Sequence, residues 1–106
     1  MQDLGYRLLT PEERARAVAL LEATHEFPVA YTISVIALNI EMVSTAVRVA
    51  AEEGLDAPLP DGAYRIQPSA QGKYLSHRID VPCREAGDVL RLYHRMRSVE
   101  GVVTVI

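Results

Sequence analysis

The segment Pro68-Ser69-Ala70-Gln71-Gly72-Lys73-Tyr74 constrains the fold of this chain more than any other. It is a tight reversal between two β-forming runs, and Gly72 stands where a short hairpin commonly needs a positive φ. The run before it, Ala63 to Pro68, and the run after it, Lys73 to Val81, are therefore predicted as paired strands. In the second run Leu75, His77, Ile79 and Val81 share one face, while Tyr74, Ser76, Arg78 and Asp80 share the other. The rest of the chain decides what covers the apolar face.

Upstream, Ala30 to Leu38 reads as another strand, with Tyr31, Ile33 and Val35 alternating with Thr32 and Ser34. Asn39 is placed to cap a following helix that runs to about Glu53 and stops at Gly54, with Val43, Ala46, Val47 and Ala50 as its inward stripe. Pro58, Pro60 and Asp61-Gly62 make residues 55–62 a loop. After the hairpin, a helix from about Arg84 to Val99 buries Ala86, Val89, Leu90, Tyr93 and Met96, and Gly101 to Ile106 is a closing aliphatic strand. A leading helix from Pro11 to about Ala23 starts with a Thr10/Glu13 capping box and a proline at its first position. Its apolar stripe is Ala17, Val18, Leu20 and Leu21. Residues 1–9 show no strong period and are expected to be loosely ordered.

Strand, helix, strand, strand, helix, strand is the order of a ferredoxin-like βαββαβ sandwich of the α+β class. The expectation is a four-stranded antiparallel sheet with two helices on one face and the other face open. Residues 1–26 then form an N-terminal extension and residues 27–106 the domain. A length of 106 residues suits one such unit, and with aromatics at only 6% the core must be built mainly from Val, Ala, Leu and Ile.

Several chemistries use this architecture, and each demands particular residues. A metal-carrying version needs a Cys-x-x-Cys pair after the first strand; here that stretch is Ala37-Leu38-Asn39-Ile40, and the sole cysteine is Cys83. Phosphoryl chemistry needs a glycine-containing cradle with an arginine, yet neither residue type lies between Ala30 and Val47. RNA recognition needs aromatics on both central strands; the open face offers Tyr74 and Arg78 opposite only Thr32 and Ser34. No nucleophile–base pair, carboxylate pair or metal cluster emerges, so no catalytic residue, cofactor or metal ligand is assigned. No leader or membrane-spanning segment is recognisable, which makes a cytoplasmic protein without membrane partners the expectation.

Phe27-Pro28, the strand Tyr31-Thr32-Ile33-Ser34-Val35-Ile36, the hairpin Pro68 to Tyr74, and the ending from Leu92-Tyr93 through Val99-Glu100-Gly101-Val102 together resemble the YbeD family of small bacterial proteins. The resemblance covers about residues 25–106. It implies a ferredoxin-like, ACT-like domain, similar to regulatory domains of metabolic enzymes, with a link to lipoic-acid metabolism through regulation rather than catalysis. Ala70, Gln71 and Ala37 stand where the family commonly has serine, lysine and glycine.

Two groups of residues are singled out for recognition. Ser69, Gln71, Gly72, Lys73 and Tyr74 at the hairpin, with Arg78 on the open face, are candidates for binding a ligand or partner; the simpler role of the first five is to make the turn. Arg84, Arg91 and Arg95 give the last helix a basic face that could dock an acidic partner. His77 reads as a core histidine, His25 and His94 as surface residues, and Cys83 as a small apolar residue or neighbour of the helix cap, a thiol acidified by the helix terminus and Arg84 being the lesser alternative. The formal charge of −3 conceals a polarity: residues 1–62 hold four Lys and Arg against ten Asp and Glu, residues 63–106 seven against four. These features favour a non-enzymatic regulatory module acting through a protein partner or self-association, with Ile36 and the last strand as apolar or edge surface. The alternative is a sensor of a small carboxylate metabolite, possibly lipoate-related, binding at a subunit interface through Lys73 or Arg78; nucleic acid ranks below both.

Overall fold

Thr10 opens the first helix, α1 (Pro11–Thr24): its hydroxyl accepts the Glu13 amide at 3.1 Å, and the Glu13 carboxylate accepts the Thr10 amide at 3.0 Å. This reciprocal pair satisfies two amides that have no partner within the helix. The structure, a computed structural model, describes residues 9–106, so the expectation of loose order for residues 1–9 lies, but for Leu9, outside the described residues. After α1 come β1 (Val29–Leu38), α2 (Glu41–Glu52), β2 (Tyr64–Pro68), β3 (Tyr74–Cys83), α3 (Ala86–Arg97) and β4 (Val102–Val105). The strands form one antiparallel sheet in the order β2-β3-β1-β4, the ferredoxin-like arrangement expected from the element order.

The sheet has one buried face because the period-2 alternation stays in register across the central pair. Ile33 lies opposite Ile79, Tyr31 opposite Val81 and Val35 opposite His77. Ile33, Val35, Ala37, Ile79 and Val81 are buried there under α2 and α3, which add Val47, Ala50, Ala51, Val89, Leu92 and Met96. On the opposite face Thr32, Ser34, Ile36, Ser76, Arg78 and Asp80 are half-buried or exposed. Arg65 and Thr32 there share the Asp80 carboxylate, and those hydrogen bonds hold its pKa below the usual range.

Four details depart from the sequence-based expectations. Leu20, predicted in the inward stripe of α1, is 65% exposed; Ala17, Val18 and Leu21 are half-buried, because α1 lies on the outside of α3 and only Leu21 reaches the core cluster. Asn39 does not cap α2, whose N-cap is Ile40 without a side-chain bond. Instead the Asn39 amide donates to the Lys73 carbonyl at 3.0 Å and its side-chain nitrogen to the Gly72 carbonyl at 2.8 Å, fastening the end of β1 to the hairpin. In α3, Leu92 is fully buried while the predicted Leu90 and Tyr93 are half-buried. Tyr93 sits at the margin, where its hydroxyl meets that of Tyr31 at 3.0 Å. Finally, β3 continues through Pro82 to Cys83, since β1 is long enough to pair with both.

The closing strand is short and bulged, with a register shift between Ile36 and Ala37. Ile106 extends the ladder by exchanging backbone hydrogen bonds with Ser34 at 2.8 and 3.0 Å. Gly101 makes the entry to β4 possible: its φ is +95°, and a Cβ there would come within 2.6 Å of Val43 Cγ2. Only glycine meets both demands.

Candidate functional site

The hairpin tip uses its polar groups on itself. The Ser69 amide donates to the Tyr74 carbonyl and the Gly72 amide to the Ser69 carbonyl, each at 2.9 Å. Ser69 Oγ accepts the Tyr74 amide at 3.1 Å, and Gly72 takes a φ of +73°. With Asn39 engaging the Gly72 and Lys73 carbonyls, these hydrogen bonds build the turn and anchor it to β1. Gln71 is exposed, and the Lys73 ammonium lies 5.5 Å over the ring of Tyr74. Arg78 is on the same sheet face as Tyr74 but four residues along the strand, roughly 13 Å away. It stands between Ser34 and Arg65 in the ladder. Lys73 and Arg78 therefore do not converge on a common point.

The arginines of α3 do converge. Arg84, Arg91 and Arg95, with Asp88, form one wall of a cleft of about 260 Å³. Residues 53–56, which follow α2, form the facing wall, and Val81, Pro82 and Cys83 at the end of β3 supply the rest of the lining. The positions follow from the local fold: Arg84 precedes α3, while Arg91 and Arg95 are four residues apart and so share a helix face. Gly54, with a φ of +85°, turns the chain so that the acidic end of α2 meets this face.

Within the cleft the three arginines are held differently. Asp88 accepts the Arg84 amide at 2.8 Å and the Arg91 guanidinium, with the Arg84 side chain 3.6 Å away. Burial works against the Asp88 carboxylate, but these hydrogen bonds and charges outweigh it and hold its pKa below the usual range. Arg95 donates from Nε to the Ala50 carbonyl at 3.0 Å, and the Glu53 carboxylate lies 3.7 Å from the same nitrogen. Its side chain is only 22% exposed, yet neither terminal nitrogen has a hydrogen-bond partner among the described residues. That leaves a fixed pair of donors beside the cleft.

The remaining candidates are structural. Burial pushes the Cys83 thiol up to about 11, with Asp88 adding to the rise and Arg95 and Arg91 too weak to reverse it. The lesser alternative, acidification by the helix terminus, is thus overturned, and the thiolate that nucleophilic chemistry needs is disfavoured. His77 is fully buried, its Nδ1 2.7 Å from the Tyr64 hydroxyl. His25 is half-buried rather than a plain surface residue, its ring 5.3 Å from that of Tyr31 and 6.2 Å from that of Phe27. Among the described residues no group of three or more His, Cys, Asp or Glu side chains is placed to hold a metal ion. No described helix is long and apolar enough to cross a membrane.

Sequence reasoning missed Gly54, Leu55 and Asp56 as cleft residues, because nothing local distinguishes them from other loop residues. The available signal was the charge division of the chain, which in this topology sets the acidic end of α2 beside the arginines of α3. The contact of Glu53 with Arg95 is that apposition.

Comparison with known proteins adds a family but no activity. No curated protein and no solved structure matches the chain. A family model described as a protein of unknown function, DUF493, matches residues 22–106, most of the chain and nearly the span over which the residues resemble the YbeD family. With its antiparallel α+β domain and that match, the chain belongs to the YbeD (DUF493) family.

Proposed function

We propose that this protein is a non-enzymatic regulatory or interaction module of the cytoplasm, and that it docks an acidic partner on its helical side, at the arginine-lined cleft. In this reading residues 27–106 are the docking domain and residues 1–26 an extension whose helix packs on α3. The observation that carries the reading is the convergence of Arg84, Arg91 and Arg95 on one concavity. Charged rims of this kind chiefly set association rate and partner choice, whereas isolated surface arginines do neither specifically. Arg84 and Arg91 remain 81% and 54% exposed, so both are reachable despite their contacts with Asp88.

The test is affinity capture from the native cell with the intact chain and with the Arg84→Glu/Arg91→Glu variant, after circular dichroism has shown both to be folded. The reading expects a protein enriched by the intact chain and lost with the charge-reversed one. Equal enrichment by both, or none above the bead control, would reject the cleft as the docking surface.

A further inference from the structure

The cleft has room for a small molecule rather than for a protein surface. At about 260 Å³ it lies just below the roughly 300–1,000 Å³ of pockets that hold drug-sized ligands. Its formal charges balance, with Arg84, Arg91 and Arg95 against Glu53, Asp56 and Asp88. A multiply charged small anion inside the cleft therefore gains little, whereas the exposed Arg84 and Arg91 remain available to a partner at its rim, and recognition within the cleft has to come from directed hydrogen bonds. Arg84 and Arg91 also keep unengaged nitrogens, but on side chains 81% and 54% exposed; the best fixed donors are the two terminal nitrogens of Arg95, on a side chain already immobilised through Nε by Ala50. Two parallel N–H groups at fixed spacing match the two oxygens of one carboxylate. Leu55 and Pro82 in the same lining offer apolar surface to whatever carries that carboxylate.

We propose that the cleft between α3, the end of β3 and residues 53–56 binds a small monocarboxylate with a short apolar body, its carboxylate seated on the terminal nitrogens of Arg95. The inference rests on the reading of this cleft as the docking surface, and it names the small ligand that would regulate it by occupying the space beneath the partner. Preorganisation is what makes the site selective: the Arg95 fork is anchored before the ligand arrives, so little side-chain freedom is lost on binding.

The experiment is a ¹H–¹⁵N correlation titration of the intact chain with sodium hexanoate, with hexanol, hexylamine and inorganic phosphate as comparison probes. Expected are saturable shifts at millimolar hexanoate, largest at the amides of residues 54–56 and 83–84, and no comparable saturable shifts with the other three. Arg95→Lys keeps the charge but loses the fork, and should weaken hexanoate about tenfold. Arg78→Ala, on the opposite sheet face, should leave the affinity unchanged. Should Arg95→Lys give a poorly dispersed spectrum, Arg91→Gln, which removes a more exposed guanidinium from the same wall, serves as the second variant and should weaken binding about threefold. Non-saturable shifts, shifts centred elsewhere, phosphate or hexanol binding as tightly as hexanoate, or an unchanged affinity in the folded variants would each overturn the proposal. If hexanoate fails while protein capture still depends on Arg84 and Arg91, the ligand inference falls and the docking reading stands.

Discussion

The Tyr64 hydroxyl and His77 Nδ1 lie 2.7 Å apart, joining β2 to β3 on the buried side of the sheet, and His77 Nε2 has no hydrogen-bond partner among the described residues. The ring is edge-on to Tyr64, whose own face is covered by the Arg48 guanidinium at 4.2 Å. Burial lowers the His77 pKa from its ordinary 6.5, because an imidazolium in this position would lose its hydration. The folded chain thus binds fewer protons here than the unfolded one. Stability from this group is complete above about pH 6.5, the unfolded value, and declines as pH falls from there toward the folded value. Urea denaturation at neutral pH and at a pH between the histidine and carboxylate ranges should show that decline. His77→Phe should flatten it, and an unchanged slope would mean that His77 is not its source.

Asn39→Ala distinguishes the observed role of Asn39 from helix capping. Losing the 2.8 Å bond to the Gly72 carbonyl should reduce stability by about 1 kcal/mol, the net value of one such hydrogen bond. Hydrogen exchange should accelerate in the turn, at the Gly72 and Tyr74 amides, while the first-turn amides of α2 keep their wild-type protection. Selective fraying of α2 would instead restore the capping role.

That difference marks the limit of what could be read from residues alone. Thr10 with Glu13, the alternation of Tyr31 to Val35 and the glycine of the hairpin are local signals, and each gave the right element because its hydrogen bonds or its face are settled within a few residues. Asn39 has a local use and a distant one. The distant bond wins because β1 and β3 hold it beside the hairpin carbonyls, at no further loss of chain entropy. Likewise α1 carries apolar residues on more than one side, so its sequence does not settle which side meets α3. The cleft was half legible: the arginines stood out as a basic face, while the residues opposite them, 53–56, arrive only through the packing of α2 on α3.

The side chains of Leu92 and Leu20 test the same distinction energetically. Leu92 is wholly enclosed between α3 and the sheet, so Leu92→Ala should destabilise the fold by about 2–5 kcal/mol through lost transfer energy and a residual cavity. Leu20 is 65% exposed, and Leu20→Ala should stay within about 0.5 kcal/mol of wild type. Equilibrium denaturation midpoints at a common m-value make the comparison. A large effect at Leu20 would mean that its exposed face is covered in solution, for instance by a second copy of the chain.

Gly101→Ala combines two separable penalties. A φ of +95° lies in the region that L-residues with a Cβ avoid, with a strain of about 1–2 kcal/mol, and the methyl would meet Val43 Cγ2 at 2.6 Å, adding about 1–3 kcal/mol of overpacking. The Gly101 carbonyl also accepts the Leu38 amide at 2.9 Å, so any relaxation of the turn pulls on β1. The double variant Gly101→Ala/Val43→Ala removes the collision but not the strain. It should therefore be less destabilised than the sum of its single variants, and the coupling in that cycle measures the collision alone. Strict additivity would place the whole penalty in the backbone and leave the contact between α2 and the entry to β4 without a steric role.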